Sequence, residues 1–372
     1  MNISTYKDES DLKVRYKAEK LSLDKVKASL NEKLIILIEG RHSDENLIYK
    51  ESAPDEERGI LSISETFDSM GIKYRRVLST DPKIKDFLSI ADFVFIYAHG
   101  EYGEDGRMQG WLDYIGVDYP GPGIFASSLC CDKLNFKYVI KGAGVKTPDF
   151  KEISPTDNLV TLYEKASELG YPVMFKDRKG GSSIGITLVK NEEDLAQWLS
   201  DNSEKDINKY FIEKYIDGVF VTVGIIQMSA GYYILPVLTA KTEAKFYDAE
   251  TKIGTENHTV QFILGGGFTT KIQKMLKDTA WSAFKSSECE GIGRVDIMII
   301  NDEAYVLEIN TIPGISKNSN FTKMFTSFGF TYEELLLAVM NTAFLKKNYL
   351  LKCEESVEKT TISKSELDDH FA

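Results

Sequence analysis

The stretch GRVDIMIINDEAYVLEINTIPG, Gly293 to Gly314, constrains the fold more than any other part of the chain. Two β-branched, apolar runs flank Asn301-Asp302, the signature of two strands joined by a tight turn. Side chains repeat every two residues along a strand, so Glu308 and Asn310 share a face, and Asp296 near the start of the first strand can oppose them. A carboxylate inside an apolar strand is costly unless something compensates it. Two compensations are open. The carboxylates and the amide oxygen form a hard-oxygen site suited to Mg²⁺, or they are an acidic set held by nearby lysine or arginine.

A second unusual stretch is YPVMFKDRKGGSSIGITLVK, Tyr171 to Lys190. Its flanks, Val173 to Phe175 and Ile184 to Val189, read as hairpin strands, while the middle is longer than a turn requires and rich in glycine and hydroxyls. Glycines let backbone N–H groups approach an anion and hydroxyls add donors. A long polar hairpin loop has the same composition. Lys133 at a helix start, Lys176 at the end of YPVMFK and Lys252 in FYDAETK stand in suggestive settings, although an isolated lysine is usually a solvated one.

Around these stretches the pattern is α/β (α+β). Residues 1–32 read as a helical extension with apolar positions at Leu21, Leu23, Val26 and Leu30. Residues 33–121 alternate strand and helix (KLIILIEG, a helix near Leu61 to Met70, then DFVFIYAHGEYGEDG), the pattern of an open sheet whose strand ends carry ligand loops. A central unit over 122–217 holds the glycine-rich segment. The unit over 218–345 is rich in strands, GYYILPVL among them, and closes with a helix at Tyr332 to Ala343. A polar tail, 346–372, follows.

Composition narrows the function. The 372 residues are 42% hydrophobic and 27% charged with a formal net charge of -12, so a basic nucleic-acid footprint is absent. Four cysteines form neither a disulfide framework nor a CxxC metal pattern, which suits a reducing cytoplasm. No apolar run approaches the roughly 18 residues of a membrane span, and the first twenty residues lack a signal core.

The segments HGEYGEDGRMQGWLDYIGVDYPGPGIFASSLCCDK, YPVMFKDRKGGSSIGITLVK, FIEKYIDG, LPVL with FYDAETK, and GRVDIMII…YVLEINTIPGIS occur in an order and spacing that resembles the D-alanine–D-alanine ligase family of the ATP-grasp superfamily, from about residue 33 to 345. The resemblance implies a three-domain ATP-grasp architecture with an open α/β N-terminal domain. It implies a cytoplasmic, ADP-forming ligase that makes an amide bond through an acyl phosphate, acts on small amino-acid or amine substrates and forms a homodimer. It further implies that Lys133 and Lys176 hold ATP phosphates, that Glu213 with the backbone of Lys214, Tyr215 and Ile216 forms the adenine hinge, and that Lys252 reaches the terminal phosphate. Asp296, Glu308 and Asn310 match ligands of two Mg²⁺ ions, with Mn²⁺ as an alternative. Arg294 and the Gly314 backbone match groups that stabilise the transition state, and Ser182 and Ser183 match the lid over the phosphates. The lid admits ATP and then excludes water from the acyl phosphate.

Departures from the family pattern cluster where substrates are read. Glu45 is the nearest candidate for the group that holds the first substrate's ammonium, and His99, supported by Glu104, lies near that substrate. Ile253 replaces an aromatic that latches the lid. Ser319 fits the acceptor site, but Asn320 replaces a leucine there, which suggests an acceptor more polar than alanine. Phe220 stands where a glutamate would bind ribose, a change worth about 1–3 kcal/mol of nucleotide affinity. Three readings follow: a divergent dipeptide or amino-acid ligase of a biosynthetic pathway, a housekeeping D-alanine–D-alanine ligase of peptidoglycan synthesis, and a non-catalytic nucleotide-binding regulator.

Overall fold

The computed structural model describes residues 6–7, 9–40, 53–181, 185–202, 206–241 and 261–354. Three sheets follow one another along the chain. The first is parallel, in the order β2-β1-β3, from β1 (Ile35–Glu39), β2 (Tyr74–Leu78) and β3 (Phe93–Tyr97). Helices α1 (Glu9–Leu30), α2 (Ala53–Met70), α3 (Ile84–Ser89) and α4 (Arg107–Ile115) accompany it. Strands β1 and β3 are almost wholly buried, as their uninterrupted apolar sequences require of a parallel sheet covered on both faces.

Helices α5 (Ile124–Cys131) and α6 (Lys133–Gly142) lead to a four-stranded antiparallel sheet ordered β4-β7-β5-β6. Its strands are β4 (Phe150–Glu152), β5 (Val173–Asp177), β6 (Ile186–Val189) and β7 (Tyr210–Lys214), with α7 (Leu159–Leu169) and α8 (Glu192–Asp201) between them. The third sheet is antiparallel, ordered β11-β10-β8-β12-β13 with β9 on β8. It comprises β8 (Val219–Met228), β9 (Gly231–Ile234), β10 (Leu238–Lys241), β11 (Gln261–Leu264), β12 (Ile292–Ile300) and β13 (Glu303–Asn310). Helix α9 (Thr270–Ser286) precedes β12, and α10 (Asn320–Thr326) and α11 (Tyr332–Glu354) follow β13.

Asn301 and Asp302 both take positive φ, 51° and 59°, which gives the β12–β13 hairpin the turn its sequence predicts. Three details differ from the sequence reading. GYYILPVL is two strands rather than one, because Pro236 between them has no N–H for the ladder. Leu21 is 59% exposed, whereas Leu23, Val26 and Leu30 are buried. Helix α11 runs past Ala343 to Glu354, over a stretch without glycine or proline.

One apolar core joins the N-terminal helix to the C-terminal helices. Leu12 and Leu23 of α1, Phe93 and Phe95 of β3, Tyr233 of β9, and Phe321 and Leu335 near the C-terminal helices belong to it. Glu19 of α1, 1% exposed, anchors that contact. Its carboxylate accepts from Ser229 N (3.1 Å), Ser229 Oγ (2.6 Å), Ala230 N (3.1 Å) and Tyr233 Oη (3.1 Å).

Candidate active site

The face of β8, β12 and β13 that carries Asp296 is polar at its centre. In the ladders Asp296 lies opposite Glu308 on one side and Thr222 on the other, and Arg294 lies opposite Asn310. Four side-chain donors converge on the Asp296 carboxylate: Thr222 Oγ1 (2.7 Å), Arg294 Nε (3.0 Å), Arg294 Nη2 (2.9 Å) and Asn310 Nδ2 (3.1 Å). Asp296 is 1% exposed, so an unpaired charge there would be prohibitive.

Lys133 approaches the same face from the first turn of α6. Asp132 caps this helix by accepting from Asn135 N, and Arg178 grips Asp132 through both carboxylate oxygens, which fixes the helix start against the end of β5. Lys133 Nζ lies 3.2 Å from Glu308 Oε2 and also donates to the carbonyl of Gly180, at the entry to the glycine-rich segment. Burial pulls the Lys133 pKa down, but Glu308 outweighs it and the net shift is upward.

A second charged group lies between α6 and the central sheet. Glu213 on β7 is 2% exposed and pairs with Lys176 of β5 through one oxygen and Lys137 of α6 through the other. Burial raises the Glu213 pKa, yet the two ammonium groups prevail and hold it below the usual carboxylate range. Beyond Glu213, the backbone N–H of Lys214 bonds to Asp149 O (2.7 Å) and that of Tyr215 to Pro172 O (3.3 Å), and Ile216 follows, half-buried.

The loop after β3 meets the segment after β13. Glu104 accepts from Gly100 N (2.8 Å) and Ile312 N (3.3 Å), with His99 Nδ1 3.9 Å away. Gly103 has no alternative at its position, since an added Cβ would lie 1.8 Å from Ala98 O. Farther along, Ser319 and Ser316 share a 2.6 Å hydroxyl contact, Asn320 opens α10, and Gly314 lies beside Ser319. Phe220 is half-buried on β8 opposite Met298.

Arg294, Asp296, Glu308, Asn310 and Lys133 are thus brought together, as are Lys176 and Glu213. His99 and Glu104 are tied to the chain just before Gly314. Glu45, Ser182, Ser183, Lys252 and Ile253 lie outside the described residues. Lys137 and Thr222 were not singled out from the sequence. Lys133 and Lys137 are four residues apart and share a helix face, and Thr222 is a lone hydroxyl residue in an apolar strand, so both carried a signal.

The donor set fits Mg²⁺. Asp296, Glu308 and Asn310 supply hard oxygens, and the two carboxylates also pair with Arg294 and Lys133. Buried carboxylates, lysines from two elements and two antiparallel sheets, one carrying the glycine-rich β5–β6 hairpin, define an ATP-grasp ligase. Residues 139–341 match the family model "D-ala D-ala ligase C-terminus". The D-alanine–D-alanine ligase of Thermotoga maritima is 37% identical over 265 residues, covering 70% of this chain and 83% of that one. D-alanine–D-alanine ligase A of Bacillus cereus is 32% identical over 257 residues, covering 69% and 82%. The crystal structure of the Bacillus anthracis ligase superposes with a TM-score of 0.69 at 26% identity, over 85% of this chain and 99% of that one. The chain belongs to the D-alanine–D-alanine ligase family, and it is an ATP-dependent, ADP-forming ligase of carbon–nitrogen bonds. Among the described residues no helix is long and apolar enough to cross a membrane.

Proposed function

We propose that this ligase joins an amino-acid carboxylate to the amine of a second amino acid, with an acceptor more polar than alanine. The observation that carries the reading is the opposition of Asp296 to Glu308, with Arg294 and Lys133 facing the same two carboxylates. Lys133 and Lys176 hold ATP phosphates, Lys252 reaches the last of them, and Glu213 with the backbone of 214–216 receives the adenine. Asp296, Glu308 and Asn310 hold two Mg²⁺ ions, which neutralise phosphate charge when bound. Ser182 and Ser183 close over the phosphates.

In the first step a carboxylate oxygen of the donor attacks the γ-phosphorus, the bond to ADP breaks, and an acyl phosphate forms. In the second the acceptor nitrogen attacks the acyl carbon, phosphate departs with the C–O bonding pair, and the nitrogen loses a proton. Arg294 and the Gly314 N–H stabilise the charge that develops on oxygen. Glu45 and His99, the latter steadied by Glu104, orient the donor; Ser319 and Asn320 face the acceptor. The polar side chain of Asn320 supports the altered acceptor.

The names of the relatives favour a second reading, in which both substrates are D-alanine. Phosphate release with ATP and Mg²⁺ across D- and L-amino acids, singly and in pairs, with mass detection of products, separates the two. A mixed or polar-acceptor product supports the proposal. D-alanyl-D-alanine formed from D-alanine in preference to every other pair refutes it in favour of the second reading, and nucleotide binding without any product refutes both.

A further inference from the structure

The pairing of two lysines with one carboxylate at Lys137–Glu213–Lys176 is unequal. Lys137 has a side chain 1% exposed, and besides Glu213 its ammonium donates to Thr147 Oγ1 at 2.7 Å. Lys176 is 13% exposed. A buried carboxylate requires one cation, and here it has two, so the group carries one surplus positive charge. A buried ammonium cannot leave for water without stranding Glu213, whereas the more open Lys176 can turn to another anion while Lys137 keeps Glu213 neutralised.

We infer that Lys137 is a positioning residue: it neutralises Glu213 so that Lys176 is exchangeable and can transfer its ammonium to a phosphate group entering the cleft. The identity of that anion as ATP rests on the function proposed above; the release of Lys176 does not. Without Lys137, the lone remaining cation is held by Glu213 and the cleft loses it. Removing the carboxylate as well frees Lys176 again.

The test uses the full chain as wild type, Lys137→Met, Lys137→Arg and the double variant Lys137→Met/Glu213→Gln, each checked for a cooperative thermal transition. A non-hydrolysable ATP analogue is titrated without Mg²⁺. Lys137→Met is expected to bind about tenfold or more weakly, as loss of a charge-assisted contact implies, with Lys137→Arg recovering most of the affinity. Independently of nucleotide, acylation of the ligand-free proteins by a small anhydride, read by peptide mass, is expected to label Lys176 faster in wild type and the double variant than in Lys137→Met.

A pH series adds a readout that a purely structural lysine would not move. Lys137 faces Glu213 of β7, Lys176 of β5 and Glu308 of β13, and burial, exceeding the pull of Glu213, lowers its pKa to about 8. Analogue binding by the wild type should therefore weaken as pH rises through this value, more steeply than in Lys137→Met. Equal Lys176 labelling in wild type and Lys137→Met would overturn the inference, as would a folded double variant whose Lys176 is labelled no faster than in the single one. Failure of the wild type to bind the analogue, with the labelling difference intact, would instead overturn the ATP reading and leave the role of Lys137 standing.

Discussion

Replacing Asp296 with asparagine separates a metal site from a structural ion pair. The carboxylate accepts two hydrogen bonds from Arg294, one from Thr222 and one from Asn310, all within 2.7–3.1 Å. Asparagine keeps one carbonyl oxygen, enough for Thr222 and Arg294 Nε, but turns an NH₂ toward two donors, Arg294 Nη2 and Asn310 Nδ2. Each lost hydrogen bond to a charged group is worth about 1.5–3 kcal/mol. Because the Arg294 side chain is 17% exposed, water recovers part of this, leaving a stability loss of about 2–4 kcal/mol. A ligand's loss should also raise the Mg²⁺ requirement at least about tenfold, since even indirect partners of a metal ligand are worth that much. Thermal scans with and without ATP and Mg²⁺, together with phosphate release over a Mg²⁺ series, read both effects. Expected are a lower midpoint without ligand and a much smaller rise on adding ATP and Mg²⁺. An Asp296→Asn protein that loses stability but keeps the wild-type Mg²⁺ dependence would show that Asp296 serves Arg294 alone.

Three further outcomes follow from the geometry. Glu19→Ala leaves the buried Tyr233 hydroxyl and Ala230 N–H without their acceptor, so stability should fall by about 2–4 kcal/mol; an unchanged thermal midpoint would remove α1 from the cooperative structure. Gly103→Ala forces a methyl group into the Ala98 backbone, so the loop carrying His99 and Glu104 should shift, with a rise in the donor substrate's KM and a loss of about 1–3 kcal/mol; wild-type values for both would mean the loop adapts freely. Burial raises the Glu104 pKa, but His99 and the N–H groups of Gly100 and Ile312 outweigh it, and the net shift is downward. The stabilisation due to its ionised carboxylate is lost as pH falls from the unfolded value, about 4.3, through the folded pKa, so the advantage of wild type over Glu104→Gln in urea should shrink across the acid range.

The β12–β13 hairpin was legible because each of its determinants is local: alternation sets the face, Asn-Asp sets the turn, and a carboxylate in an apolar strand marks the chemistry. The strand–helix alternation of the first unit and the placement of Lys133 at a helix start were readable for the same reason. The break at Pro236 could also have been read, since a proline interrupts a ladder wherever it falls. The sequence by itself thus determined the elements, their polarity and the presence of acidic and basic residues suited to phosphate chemistry. The tertiary structure alone decided which charge answers which. Lys137 and Glu213 are separated by 76 positions, and Glu104 reaches Ile312 across 208. Periodicity cannot report such pairs, because an ion pair depends on distance and burial after the sheets have packed, and these decide whether two lysines on one helix meet solvent, Glu308 or each other's counter-charge.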